Sequence, residues 1–243
     1  MATFNIHHGV GTDGRLDLAR TAGAIAATGA AVVGLQEVDD AFGARSGFVD
    51  QAAWLGERLA MTPVFGANLD LPPATPGAPR RRYGNAMLTA YPILSWQNTL
   101  LPKPAGEQRG LLVADLDVDG SNVTVFTTHL DNHSPATRLV QAGAVADAAR
   151  AVTGPLVLVG DLNARPDAAE VRLLTAAVPD TWPAAGRGHG YTFSSDRPRA
   201  RIDYVLASGP GLAARMAVVV STRASDHMPL GVDVEFAGQP AGD

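Results

Sequence analysis

The sequence predicts an α/β protein built as a layered sandwich, two mixed β-sheets packed together with helices on their outer faces. Three observations predict it. Strand-like and helix-like runs alternate along the first half of the chain. Four strand-like runs then follow one another without a helix. Short apolar runs outnumber amphipathic ones overall, so some strands pair in parallel through helices and others through hairpins.

The elements follow in order. Residues 2–6 read as a strand and 16–28 as a helix, with apolar positions at helical spacing and Gly29 near its end. Residues 31–35 form a buried strand, 49–61 a helix and 63–65 a short strand. The stretch 68–82, rich in Pro, Gly and Arg, reads as a loop. Strand-like runs follow at 85–89, 93–100, 110–118 and 123–128, and Asp119-Gly120 between the last two is a hairpin signal. A long helix is expected over 135–152, with Ser134 as N-cap and Pro135 in the first helical position. The strand 156–159, a short helix over 168–175 and a loop over 179–190 come next. Strand-like runs recur at 191–193, 202–207, 217–220 and 230–236, before a frayed tail from Ala237. No internal repeat or linker divides the chain, so residues 1–243 are expected to form one catalytic domain.

Composition narrows the function. The net charge is −5, which argues against bulk electrostatic binding of nucleic acid. Basic charge comes from 18 Arg and a single Lys, Lys103. The chain has no cysteine, which excludes disulfides and thiolate metal sites, and compartment is not legible from redox chemistry. No apolar stretch approaches the roughly 20 residues that span a bilayer, so no stable membrane insertion is expected. The chain begins almost inside its first strand, as expected if the natural start lies upstream or a leader has been removed. A soluble monomer is expected, cytoplasmic or secreted.

The chemistry concentrates at strand ends. Gly160-Asp161-Leu162-Asn163 follows a buried strand and delivers a carboxylate and an amide to one spot, because alternate strand residues point the same way. Asn5, Glu37, His129, Asp203, Asp226 and His227 likewise sit at or just past apolar runs. Polar loops on a rigid sheet are where active sites tend to lie. A carboxylate beside a neutral donor suits a hard cation, a polarised water or a phosphate.

Seven stretches in order complete the pattern. They are Thr3-Phe4-Asn5-Ile6-His7-His8-Gly9, Leu35-Gln36-Glu37-Val38-Asp39, Tyr83-Gly84-Asn85-Ala86-Met87-Leu88, Thr128-His129-Leu130-Asp131, Gly160-Asp161-Leu162-Asn163-Ala164, Arg201-Ile202-Asp203-Tyr204-Val205 and Ser225-Asp226-His227-Met228-Pro229-Leu230. With them the chain resembles the endonuclease/exonuclease/phosphatase superfamily, the group of pancreatic deoxyribonuclease, abasic-site endonucleases, neutral sphingomyelinases and inositol polyphosphate 5-phosphatases. The resemblance implies a four-layered α/β sandwich and a metal-dependent phosphoesterase.

It also implies roles. Glu37 with Asn5, and Asp226 as a further ligand, would hold one or two ions of Mg²⁺ or Mn²⁺, which suit oxygen donors. His227 would act on the attacking water or on phosphoryl oxygens, with Asp203 fixing its tautomer. Asp161 would orient or deprotonate water, Asn163 would donate to phosphate and His129 to a non-bridging oxygen. The base is Asp161 or His227. Asn85 and the run Arg80-Arg81-Arg82 are candidate substrate contacts, the arginines reading as either a solvated loop or an anion-recognition loop.

Some positions depart from this pattern or stand outside it. Ala90 stands where many relatives carry Lys or Arg. His7 and His8 read first as a structural or solvent-facing pair, although His7 is two residues from Asn5 and so on its face. His133 and His189 read as surface residues, with His189, Thr192 and Phe193 as a candidate rim. The expected substrate is a phosphate ester, a diester before a monoester: a small molecule, a lipid head group or a nucleic acid.

Overall fold

The computed structural model describes residues 1–104 and 106–236. Among these described residues eleven strands and five α-helices are set out in the order β1 (Ala2–Asn5), α1 (Leu18–Ala26), β2 (Val32–Asp40), α2 (Gln51–Leu59), β3 (Thr62–Leu71), β4 (Arg81–Thr89), β5 (Ile93–Leu100), β6 (Gly110–Val118), β7 (Ser121–His129), α3 (Pro135–Arg150), β8 (Leu156–Asp161), α4 (Ala169–Ala177), α5 (Trp182–Ala185), β9 (Asp203–Ser208), β10 (Leu212–Val219) and β11 (Leu230–Phe236). One sheet has the order β10-β11-β1-β2-β4-β3 and the other β5-β6-β7-β8-β9. Each is mixed: β1 runs parallel to β2, and β7 parallel to β8, while the other neighbours are antiparallel.

Strand alternation produces the layers. On β8, Leu156 and Leu158 face Val145 of α3 and Leu174 of α4, whereas Val157 and Val159 turn inward with Val205 and Leu230. On β2, Val33 and Leu35 pack with Ile25 of α1 and Leu55 of α2, and Val32 joins Leu112, Leu116 and Val125 between the sheets. The result is the four-layered sandwich that the sequence and the resemblance point to. Each fully buried Val or Leu contributes roughly 1.5–3 kcal/mol of transfer free energy. The helix starts follow local chemistry. Asp17, Asp50 and Ser134 accept from the backbone N–H of Arg20, Ala53 and Thr137 at 2.9, 3.0 and 3.2 Å, each cap worth about 1 kcal/mol. The β6–β7 hairpin turns at Asp119 and Gly120 with φ of 51° and 84°, as a two-residue type I′ loop requires.

The structure corrects several boundaries. The expected loop over 68–82 is shorter, confined to 72–80: β3 runs to Leu71 and β4 begins at Arg81, the two paired across a bulge between Ala67 and Leu69. Exposed alternate positions on this edge strand made its sequence look polar. Residues 191–193 form no strand, but Phe193 bridges Ala200 and His227. The expected loop over 179–190 contains the single turn of α5. The frayed tail from Ala237 lies outside the described residues. Among the described residues no helix is long and apolar enough to cross a membrane.

The sheets approach closely at Gly34 of β2, where an added Cβ would lie 2.2 Å from Val159 Cγ2 and 2.7 Å from Thr127 Oγ1. Neither side chain is long enough to swing away, so Gly34→Ala is expected to destabilise the domain by about 1–3 kcal/mol. Urea unfolding measures it, and an unchanged midpoint would contradict this packing.

Candidate active site

The parallel pairs β1–β2 and β7–β8 bring four strand ends to one edge of the sandwich. Asn5 closes β1, His129 closes β7 and Asp161 closes β8, while Asp203 opens β9. Register does the rest: His129 pairs with Asp161, and Asp161 with Asp203. Glu37 sits at a bulge of β2, with φ of 58°, where pairing with β4 slips between Leu35 and Val38.

Asn5 joins the two sheets. Its Nδ2 donates to Glu37 Oε1 at 3.1 Å and to Asp161 Oδ2 at 3.0 Å, and its Oδ1 accepts from the His7 N–H at 3.0 Å. Asp161 Oδ1 accepts from the Asn163 N–H at 2.8 Å. Asp161 Oδ2 also lies 3.6 Å from Nε2 of both His129 and His227. That separation is too long for a hydrogen bond and leaves the oxygen facing two imidazoles.

The two imidazoles differ because their partners differ. His227 Nδ1 donates to Asp203 Oδ2 at 2.9 Å, and the other Asp203 oxygen is buried without a hydrogen bond. Burial opposes the imidazolium, but the Asp203 and Asp161 carboxylates outweigh it and push His227 up to about 10. The Phe193 ring lies 4.8 Å from the His227 ring, and Ser225 Oγ accepts the His227 backbone N–H at 3.1 Å. His129 is held well below the usual histidine range by burial, then by Arg109 and His227. Burial, reinforced by Asp203, raises Asp161 to about 7.

Arg109 was not among the residues singled out from the sequence. It is buried at the start of β6, donating to Glu107 at 2.7 Å and meeting His129 Nδ1 at 3.1 Å. Asn163 Nδ2 lies 2.9 Å from His129 Nε2. A neutral imidazole accepts at one nitrogen only. A guanidinium cannot accept, whereas an amide can turn its oxygen inward, here giving up the bond that Asn163 Nδ2 donates to the Leu130 carbonyl at 3.1 Å. Nδ1 is therefore the acceptor and the proton sits on Nε2. The available signal was a lone Arg immediately before the apolar run of β6.

All eight strand-end candidates, Asn5, Glu37, His129, Asp161, Asn163, Asp203, Asp226 and His227, thus occupy this edge or, for Asp226, the loop that carries His227. The arginine run is engaged elsewhere. Arg80 pairs with Asp70 at 2.6 Å, Arg81 donates to the Pro72 carbonyl at 2.9 Å, and Arg82 pairs with Asp40. Asn85 is buried and donates to the Gly110 carbonyl at 3.1 Å. Of the rim candidates, His189 stacks on Tyr191, while Thr192 Oγ1 accepts from the Asp203 N–H at 3.4 Å.

The donor set fits a divalent cation. Glu37 and Asp226 offer half-buried carboxylates, and Asp226 lies 3.9 Å from His7 Nδ1. Two groups bring ligand atoms within 4.8 Å of one another: Asp161, Asp203 and His227, and His7, His8 and Glu37. In the first group the Asp203–His227 hydrogen bond already occupies donor atoms, so the second is the freer one.

A profile of the Endonuclease/Exonuclease/phosphatase family matches residues 2–227, and the chain belongs to that family. Its members are phosphoesterase hydrolases, generally dependent on divalent metal. The endonuclease/exonuclease/phosphatase structure from Beutenbergia cavernae DSM 12333 is similar over 99% of this chain and 72% of that chain, with 30% identity and a TM-score of 0.82. YbhP, an uncharacterized protein of Escherichia coli K12, is 26% identical over 165 residues, 65% of each chain. Protein cwh43 of Schizosaccharomyces pombe is 31% identical over 115 residues, 47% of this chain. The chain spans 11% of the cwh43 length and 65% of the YbhP length.

Removing the Arg109 guanidinium frees His129 to exchange tautomers. Arg109→Met is expected to lower kcat about 10–100-fold on a phosphate ester with KM little changed, and Arg109→Lys to restore part of it. Steady-state kinetics check this; a pure KM effect would remove Arg109 from the reaction.

Proposed function

We propose that this chain hydrolyses phosphate diesters by attack of a water positioned at Asp161, with a divalent cation held on the Glu37 side of the site. The observation that carries the reading is Asp161 Oδ2, which lies 3.6 Å from Nε2 of both His129 and His227 while Asp203 holds His227. A bound cation supplies Lewis-acid polarisation of the phosphoryl oxygen and neutralises charge on the leaving oxygen. The chain's own residues supply the remainder. Asp161 orients the water and takes its proton. His227, an imidazolium fixed by Asp203, donates from Nε2 to a phosphoryl oxygen. His129 Nε2–H and the Asn163 amide address the oxygens on the other side, where negative charge grows in the transition state.

The charge inventory supports a diester. The site contains one imidazolium and a buried guanidinium already paired with Glu107, against the carboxylates of Glu37, Asp161, Asp203 and Asp226. The arginines that would suit a dianionic monoester are paired outside it. With one cation bound, a monoanionic diester is the better electrostatic match. The same inventory and the net charge of −5 favour a small-molecule or head-group diester over nucleic acid.

The test is hydrolysis of bis-(p-nitrophenyl) phosphate beside p-nitrophenyl phosphate and supercoiled plasmid, with Mg²⁺ or Mn²⁺ and with EDTA. The diester is expected to turn over faster than the monoester, EDTA to abolish turnover, and His227→Ala or Asp161→Asn each to cost about 100-fold or more in kcat. A monoester preference would overturn the diester reading, and full activity of His227→Ala the whole mechanism.

The pH dependence follows from the two shifted groups. Asp161 must be ionised, so kcat/KM rises with pH through about 7. His227 must be protonated, so it falls as pH passes about 10. Asp203→Asn removes the carboxylate that raises His227 and is expected to move the alkaline limb to lower pH. A pH–rate profile of the two proteins decides it, and an unmoved limb would detach that limb from His227.

A further inference from the structure

We propose that His7 and His8 are metal ligands which, with Glu37, make the cation site of this chain a mixed nitrogen–oxygen centre selective for Mn²⁺, Co²⁺ or Zn²⁺ over Mg²⁺. The inference rests on the cation-dependent reading above and specifies which ligands, and hence which metals, the site takes.

The turn His7–Gly9 leaves β1 directly after Asn5 and brings ligand atoms of both imidazoles and the Glu37 carboxylate within 4.8 Å of one another. This placement is built, not incidental. Both histidines have left-handed φ, 45° and 42°, a conformation uncommon outside glycine. The turn is held there by hydrogen bonds from two directions. The His7 N–H donates to Asn5 Oδ1 at 3.0 Å, and Gln51 Nε2 donates to the His8 carbonyl at 2.7 Å. Gln51 is itself fixed to β2, its Oε1 accepting from the Asp39 N–H at 2.9 Å.

The rings are prepared as ligands. His7 Nδ1 lies 3.2 Å from the Val10 carbonyl, which can only accept, so the proton is on Nδ1 and the Nε2 lone pair is free. A backbone carbonyl on one ring nitrogen is the usual support of a metal-binding histidine. His8 Nδ1 is buried with no hydrogen-bond partner, an arrangement that is costly unless something else engages the ring. The neighbouring Arg45 is no obstacle, because it donates to both oxygens of Asp39 at 2.7 and 2.9 Å.

Imidazole donors raise affinity for later divalent metals along the Irving–Williams order, whereas Mg²⁺ prefers oxygen and retains its waters. The experiment uses the full chain, stripped with chelator and reloaded. Mn²⁺ is followed by pulsed EPR, Co²⁺ by visible absorption, and Zn²⁺ and Mg²⁺ by calorimetry, in the wild type and in His7→Ala, His8→Ala, His8→Gly and Glu37→Gln. His8→Gly retains the left-handed backbone, so a folding defect in His8→Ala does not confuse the result. The expected result is ¹⁴N coupling to Mn²⁺ that weakens in each histidine variant. Zn²⁺ and Co²⁺ affinities should fall about tenfold or more in each, while Mg²⁺ affinity changes less than about threefold. Glu37→Gln should weaken every metal. Mn²⁺ without ¹⁴N coupling, or Zn²⁺ affinity unchanged in His7→Ala and His8→Gly, overturns the assignment. If such a protein still hydrolyses diesters with Mg²⁺, the phosphodiesterase reading stands and only the imidazole ligands fall. Diester hydrolysis that persists in EDTA, from wild type that binds no divalent ion, overturns both.

Discussion

A single carboxamide holds the edge with the candidate active site together. Asn5 donates one hydrogen bond to Glu37 of its own sheet and another to Asp161 of the facing sheet. Two carboxylates this near each other repel in a buried setting unless donors lie between them. The amide oxygen, turned back onto the His7 N–H, fixes the donor end toward the carboxylates. Ser225 Oγ donates to the Asn5 carbonyl at 2.7 Å and accepts from the His227 N–H, which ties the His227 loop to the same strand end. The two facing sheets, the bulge of β2 and the loop that carries His227 all meet at this junction.

Around it the protein sets two chemically identical rings to different states. Asp203 is buried, half-unsatisfied and dependent on His227, so the imidazolium is favoured there. On the other side burial, and then the neighbouring Arg109, hold His129 well below the usual histidine range, so that ring stays neutral. Asp161 lies between a cationic donor and a neutral donor, with burial raising its basicity. Pairs of titratable groups pushed apart by their surroundings divide acid and base work on one substrate.

Much of this was legible from residue order. Polar residues at or just past apolar runs marked all eight of the positions that meet there, because a strand delivers its last residues to a fixed edge of the sheet. The caps Asp17, Asp50 and Ser134 and the Asp119-Gly120 turn act through atoms a few residues apart, so local sequence specifies them. The β3–β4 ribbon was not legible. Its exposed alternate residues and the Arg-rich start of β4 match a loop in composition, and only pairing between the two strands makes them a ribbon. The arginine run misled for a related reason: Asp70 lies ten residues from Arg80 but opposite Arg82 across the ribbon, and Asp40 reaches Arg82 from β2.

The sequence by itself determined the fold class, through periodicity, and the family resemblance, through seven short stretches in order, and it named the polar residues that end the strands at one edge. Tertiary structure alone decided which charges meet. The protonation states of His129 and His227 and the convergence of His7 and His8 on Glu37 arise from partners 20 or more residues away in the chain, and the Asn5 junction spans 156. A proton's position depends on distance and burial in space, and neither is written in the order of residues.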